Sequence, residues 1–204
     1  MKYGVFGGTF NPVHEGHLHI ARAFKESMKL DKVLWIPTKI PPHKVAKDLA
    51  QPDQRLEMCR LACKGEESFL VSDLEIRRQG KSYTADTLEE LHQLYPEDRF
   101  CLLMGEDMFL TLLNWYRPDV ILRLAEICAV PRSVGHEAEM EKYAQGLRTR
   151  GACVTVKRIP YLPISSTEIR EAVNRGDSIE KMVPSAVEEY IYRHGLYGKG
   201  GNEN

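Results

Sequence analysis

Short, dense apolar runs alternate along the chain with stretches in which apolar residues recur at helical spacing. Lys2 to Phe6 reads as a buried strand. From about Gly16, Leu18, Ile20, Ala21 and Phe24 fall on one face of a helix. Lys32 to Ile36, with Val-Leu-Trp-Ile at its centre, predicts a second buried strand, and Pro52 to about Lys64 a helix with proline in its first turn. Phe69 to Ser72 is a short strand, and Tyr83 to Leu94 a helix begun near Ser82. Arg99 to Met104, Glu126 to Val130 and Ala152 to Val156 are further strands. They are separated by helices over Pro118 to Leu124 and about His136 to Arg148. Ser166 to Asn174 and Pro184 to His194 close the chain as helices. This alternation predicts an α/β fold: a doubly wound parallel sheet with right-handed crossovers and helices on both faces. Ligands of such sheets lie beyond the carboxyl ends of the strands, where the strand order switches.

Composition narrows the partners more than it narrows the fold. At 204 residues the chain is about one domain with a proper core. The domain is expected over 1–197, followed by a frayed tail over 198–204. A formal net charge of −1 gives no reason to expect nucleic acid or an anionic membrane as partner. The five cysteines form no C-x-x-C pair and sit mostly in apolar stretches, as reduced core thiols of a cytoplasmic protein would. Neither a secretory signal nor an apolar run of roughly 18 residues is present.

The chemistry concentrates in Gly4-Val-Phe-Gly-Gly-Thr-Phe-Asn-Pro-Val-His-Glu-Gly-His-Leu-His19. Gly7 and Gly8 remove side chains where the backbone has to turn and approach something closely, and Asn11-Pro12 signals the turn. The helix start that follows leaves backbone N–H groups free in a region of partial positive charge, which suits phosphate. His14 and His17 add two donors on the same side, although such a pair alone is more often an ordinary polar feature. Other patterns fail. Gly4, Gly7 and Gly8 do not make G-x-G-x-x-G; Gly80-Lys81-Ser82 lacks the upstream glycine of a P-loop, since Glu75 stands there; and Leu18, four after His14, excludes a zincin helix. Late in the chain, Ile164-Ser-Ser-Thr-Glu-Ile-Arg170 is a second helix start. Its hydroxyls, spare N–H groups and guanidinium together would clamp a polyphosphate.

The strand, the Gly-Gly-Thr-Phe-Asn-Pro turn and His14-x-Gly-His17 resemble the signature of the nucleotidyltransferase superfamily. Pro37-Thr-x-x-Pro-Pro-His-Lys44, Ser82-Tyr-Thr-x-x-Thr-Leu88, Gly105-Glu-Asp-Met-Phe109 and Trp115-Tyr116 extend the likeness. Together they resemble bacterial nicotinate-mononucleotide adenylyltransferases over nearly the whole chain, with a Rossmann-like sheet implied. One departure is Asn11, where Asp is the more frequent residue of that family; both support a turn.

The resemblance implies two substrates, ATP and nicotinic acid mononucleotide, with Mg2+ carried in on ATP and no resident metal. It puts Gly7, Gly8, Thr9, Phe10, His14, His17, Gly105, Asp107, Ile164, Ser165, Ser166, Thr167 and Arg170 around ATP. It puts Lys44, Tyr83, Thr84, Asp107, Trp115, Tyr116 and Arg132 around the mononucleotide. His14, His17, Lys44 and Arg170 are the expected catalytic set. The helix start at Thr84 would receive the nicotinate carboxylate, Trp115 would offer a face to the cationic ring, and Asp107 would accept from ribose hydroxyls. Rival readings are transfer to nicotinamide mononucleotide or phosphopantetheine, cytidylyl transfer to an alcohol phosphate, and a nucleotide-binding regulator without turnover. Phosphopantetheine enzymes of the superfamily usually carry Thr in place of His14 and are shorter, while Ile164 to Arg170 favours ATP over CTP. Intact His14, His17, Lys44 and Arg170 argue against the regulator. A homo-oligomer is left open, and the segment from Lys39 to Asp48 is compatible with a lid or a fixed turn.

Overall fold

The computed structural model describes residues 1–41, 48–132, 135–160 and 162–198. Six parallel strands form one sheet: β1 (Lys2–Gly8), β2 (Lys32–Pro37), β3 (Phe69–Val71), β4 (Arg99–Gly105), β5 (Glu126–Val130) and β6 (Val154–Val156). Their spatial order is β3-β2-β1-β4-β5-β6, so the strand order switches between β1 and β4.

Side chains alternate between two cores, one on each face of the sheet. Phe6, Val33, Trp35, Cys101, Leu103, Cys128 and Val130 join one, while Tyr3, Val5, Leu34, Ile36, Phe100, Leu102, Met104, Ile127 and Ala129 join the other. Strands buried on both faces read as unbroken apolar runs, which is why they are visible in the sequence. The first core is closed by α1 (Glu15–Ser27), α2 (Pro52–Cys63), α8 (Ser166–Arg175) and α9 (Ser185–Arg193). The second is closed by α3 (Leu74–Arg77), α4 (Thr84–Leu94), α5 (Glu106–Leu110), α6 (Pro118–Leu124) and α7 (Glu137–Arg148).

Most predicted bounds shift by only one or two residues. β6 starts later than Ala152 because the Ala152 N–H turns back to close α7 on the Leu147 carbonyl at 3.2 Å. Two short helices, α3 and α5, and a 3-10 turn over Leu112–Asn114 are additions that the apolar periodicity did not indicate. Four cysteines are buried, and Cys153 is exposed. Of the expected tail only Gly198 falls among the described residues. No helix among them is long and apolar enough to cross a membrane.

Candidate active site

β1 delivers the glycine turn to the switch point. A Cβ on Gly8 would stand 3.0 Å from the Phe10 ring, whereas one on Gly7 would meet nothing within 4 Å. Gly8 is therefore fixed by packing, and the space beside Gly7 is open. Phe10 adopts φ 47° and puts its ring into the core, edge-on to Phe6 and His17 and 5.3 Å from Trp35. Its side chain is thus structural, and only its backbone remains to serve a ligand. The Thr9 carbonyl accepts from Arg55 Nη1 at 2.7 Å.

His14 and His17 flank the start of α1 with ring centroids 3.6 Å apart. The His14 N–H donates to His17 Nδ1 at 3.2 Å. Neutral His17 consequently carries its proton on Nε2. His17 keeps part of its surface accessible although Phe6, Phe10 and His14 crowd the ring. Burial, together with the His14 ring, holds its pKa well below the ordinary histidine value. Burial likewise lowers His14 to about 4, against an opposing pull from the Glu168 carboxylate. Both rings are neutral at pH 7, and buried His14 Nδ1 has no hydrogen-bond partner among the described residues.

The late motif arrives at the same place. A Cβ on Gly16 would approach His14 Nδ1 to 3.0 Å and the Ile164 carbonyl to 3.4 Å, so glycine lets the start of α1 lie against the segment entering α8. Ser165 caps α8 by accepting from the Glu168 N–H at 3.2 Å, and Glu168 Oε2 accepts from the Ser165 N–H at 2.9 Å, a capping box. Ser166 does not cap; its Oγ donates to the Pro12 carbonyl at 2.9 Å. Arg170 Nη1 donates to the Asn11 carbonyl at 2.9 Å and Nη2 lies 3.4 Å from Thr167 Oγ1. Two helix N-termini thus converge, and their partial positive charges add. Beside them lies a cavity of about 210 Å3 lined by Asp48, Thr167, Arg170, Glu171, Asn174, Tyr197 and Gly198.

A second group gathers at the start of α4. Ser82 accepts from the Lys39 N–H through Oγ at 3.0 Å and donates its own N–H to the Ile40 carbonyl at 3.1 Å, fastening the loop after β2 to this helix start. The Tyr83 ring lies against that of exposed Tyr116, with centroids 4.3 Å apart and the planes tilted by 32°. Arg117 makes a two-pronged ion pair with Glu89 in α4, fastening the loop that carries Tyr116 to this helix. Trp115 is half-buried and packs against the second core. Behind these residues the buried Glu75 carboxylate accepts from Thr87 at 2.7 Å.

The ends of β4 and β5 contribute a third group. Gly105 ends β4 with open space where a Cβ would stand. Asp107 Oδ2 pairs with Arg132 Nη1 at 3.0 Å, and buried Glu106 accepts from the Arg132 N–H and from His136. Burial would raise the Glu106 pKa, but those donors outweigh it and keep the carboxyl below its ordinary value. The expectation for Lys44, and most of the Lys39 to Asp48 expectation, lies outside the described residues.

Sequence reading missed Arg55 and Tyr197 as parts of this corner. Arg55 is fully buried on the face of α2 that also carries Met58, Cys59 and Ala62. An arginine at an apolar helical position is the signal that could have found it. Among the described residues, one group could hold a metal: Cys101, Glu126 and Cys128, near the amino ends of the strands. Its thiols suit a soft ion rather than Mg2+, and the Lys2 ammonium already lies 3.3 Å from Glu126.

A glycine turn, two neutral histidines and two helix starts meeting at the switch of a parallel sheet define a nucleotidyltransferase, and the profile described as cytidylyltransferase-like matches residues 5–172. The chain is 40% identical over 198 residues to a Dictyoglomus thermophilum protein named "Probable nicotinate-nucleotide adenylyltransferase", covering 97% of this chain and 100% of that one. An Exiguobacterium sibiricum protein of the same name is 41% identical, covering 97% and 99%. Two structures of Plasmodium falciparum nicotinic acid mononucleotide adenylyltransferase share the fold at 18% identity. The one complexed with NaAD has a TM-score of 0.79, covering 96% of this chain and 97% of that one; the one complexed with APC has 0.77, covering 96% of each. The chain belongs to the nicotinate-nucleotide adenylyltransferase family.

Proposed function

We infer that the protein transfers the adenylyl group of ATP to nicotinic acid mononucleotide, releasing pyrophosphate and forming deamido-NAD for NAD biosynthesis. The observation that carries this reading is the meeting of the two anion-receiving corners: Arg170 on the Asn11 carbonyl and Ser166 on that of Pro12.

The mononucleotide phosphate oxygen attacks the α-phosphorus of ATP in line. A new P–O bond forms, the bond from the α-phosphorus to the bridging oxygen breaks, and its electron pair leaves with pyrophosphate. The attacking oxygen is already anionic, so neither a general base nor a covalent intermediate is needed. Catalysis is positioning plus stabilisation of the phosphoryl oxygens. The convergent helix starts and Arg170 receive the β- and γ-phosphates, with Ser165, Ser166 and Thr167 around them. His17, held as a neutral Nε2–H donor by the His14 N–H, serves the α-phosphate with His14 and Lys44. Mg2+ enters with ATP, coordinated largely by phosphate and water.

At the other end, the first N–H groups of α4 around Thr84, assisted by the Tyr116 amide, receive the nicotinate carboxylate, while Trp115 faces the ring. Asp107 and Arg132 serve ribose hydroxyls and phosphate, which requires their ion pair to open. The cytoplasm is the expected compartment, in keeping with five unpaired cysteines, four of them buried.

A pyrophosphate-release assay tests the reading, using ATP or CTP with nicotinic acid mononucleotide, nicotinamide mononucleotide, phosphopantetheine or an alcohol phosphate. ATP with the nicotinic acid nucleotide is expected to give the highest kcat/KM. A better rate with another pair would replace the substrate, and binding of ATP without release from any pair would make the protein a regulator.

A further inference from the structure

We propose that Arg55, fully buried and so out of reach of a ligand in the cleft, is a positioning residue that sets the geometry of the phosphate corner. The inference rests on the adenylyl-transfer reading above and names a residue on which that site depends. Arg55 spends its guanidinium on backbone carbonyls from three separate segments. Nη1 donates to Thr9 at 2.7 Å, Nε to Ala50 at 3.0 Å and Nη2 to Lys39 at 3.1 Å. Thr9 lies in the glycine turn, Lys39 in the loop leaving β2, and Ala50 just before α2.

The consequence at Thr9 follows from peptide geometry. In a trans peptide the C=O and the next N–H point in opposite directions. Tying the Thr9 carbonyl to Arg55 therefore fixes the direction of the Phe10 N–H, the group left available once the Phe10 ring is in the core. Ala50 is held at both polar atoms, since its N–H donates to Asn11 Oδ1 at 3.0 Å. Asn11 also donates from Nδ2 to the Asp48 carbonyl at 2.9 Å and receives Arg170 on its own carbonyl. Arg55 and Asn11 thus join the loop after β2, the approach to α2, the glycine turn and Arg170 in one hydrogen-bonded set.

Packing does not require an arginine here. Burying a guanidinium is costly, and here the cost is offset by hydrogen bonds to three carbonyls rather than by apolar contact. What an apolar side chain cannot do is hold three carbonyls in fixed directions. The nearby Glu75 carboxylate lends charge compensation but is bonded to Thr87.

The test compares the wild type with Arg55→Met and Arg55→Lys. Melting temperature, kcat and both KM values are measured by pyrophosphate release, and amide hydrogen exchange is followed at Ala50 and Phe10. Arg55→Met is expected to melt clearly below the wild type, because three carbonyls lose their donor, and, where folded, to lose about 100-fold in kcat, the scale of a 1 Å misplacement. The KM values should change far less. The Ala50 amide should exchange at least about tenfold faster, because the backbone it belongs to is no longer fastened. Arg55→Lys, able to reach one carbonyl at a time, should recover part of kcat; it decides the matter if the Met variant does not fold. Wild-type kcat in either folded variant, or wild-type exchange at Ala50, overturns the proposal. A wild type inactive on nicotinic acid mononucleotide sinks the substrate reading instead, and the exchange measurement then still judges Arg55.

Discussion

Arg170 Nη1 lies 2.9 Å from the carbonyl oxygen of Asn11, although 159 positions separate the two residues. The contact draws the start of α8 against the turn after β1, so the positive ends of two helices face one space. It also occupies one guanidinium N–H, which restricts the side chain; if Arg170 receives a phosphate, that restraint lowers the ordering cost of binding.

Replacing Arg170 with lysine should therefore cost more than a charge-conserving change suggests. Lysine offers no planar fork that can keep Asn11 and hold a phosphate together. Losing a charge-assisted hydrogen bond of about 1.5–3 kcal/mol predicts a fall in kcat/KM for ATP of roughly 10- to 150-fold. The melting temperature should move by only a few degrees, the site being partly exposed. Steady-state kinetics at saturating mononucleotide measure it, and a change under threefold would remove Arg170 from the triphosphate.

The buried histidines predict how stability varies with pH. His14 takes a proton in the unfolded chain near 6.5 but in the folded protein only near 4. Between those values the unfolded state binds more protons, so stability is full above about 6.5 and is lost as pH falls towards 4. Each unit of difference is about 1.4 kcal/mol, so His14 accounts for on the order of 3 kcal/mol; His17 acts in the same direction. Urea unfolding at pH 7, 6 and 5 should show the decline, and His14→Gln should flatten it. An equally steep decline in the variant would assign the effect elsewhere.

Substrate choice gives a third expectation. If the first N–H groups of α4 receive the nicotinate carboxylate, an amide in its place sets an NH2 against those donors. One unsatisfied buried group costs about 1–3 kcal/mol, giving a preference for the acid of about five- to 150-fold in kcat/KM. Trp115→Ala should raise KM for the nicotinic acid nucleotide by about two- to 30-fold with kcat unchanged, the range of a ring-face attraction of 0.5–2 kcal/mol. Equal rates for acid and amide would move carboxylate recognition away from Thr84, and an unchanged KM would remove Trp115 from the ring.

The sheet was legible because each of its central strands is buried on two faces and so forms an unbroken apolar run, as in Val33-Leu34-Trp35-Ile36. Both helix starts that meet at this corner were legible from their glycines, histidines and hydroxyls. Their actual contacts were not. Ser166 looks like a cap but reaches Pro12 across the corner, while Ser165 does the capping. Phe10 reads as part of a ligand loop, yet its left-handed backbone sends the ring into the core. Arg55 carries no motif, and its three carbonyl partners are brought together only by the folded chain. α5 escaped notice because five residues, Glu106 to Leu110, are too few to show helical periodicity.

Asn11 and Tyr197 supply the last expectation. The Tyr197 hydroxyl donates to Asn11 Oδ1 at 2.8 Å, and the same oxygen accepts from the Ala50 N–H. Burial raises the Tyr197 pKa, so the phenol stays a neutral donor at physiological pH. The carboxyl-terminal segment is thereby tied to the glycine turn beside Arg170. A double-mutant cycle between Asn11→Ala and Tyr197→Phe should give a coupling of about 0.5–1.5 kcal/mol in unfolding free energy. Asn11→Ala alone should cost more than Tyr197→Phe, because it also strips partners from Ala50 and from the Asp48 carbonyl. Asn11→Asp, which introduces the residue more frequent in this family, should fall between wild type and Asn11→Ala. It loses the donation to Asp48 but presents a charged acceptor to Tyr197 and Ala50, and charge-assisted bonds are roughly twice as strong as neutral ones. Zero coupling would mean that Tyr197 packs beside the turn without holding it.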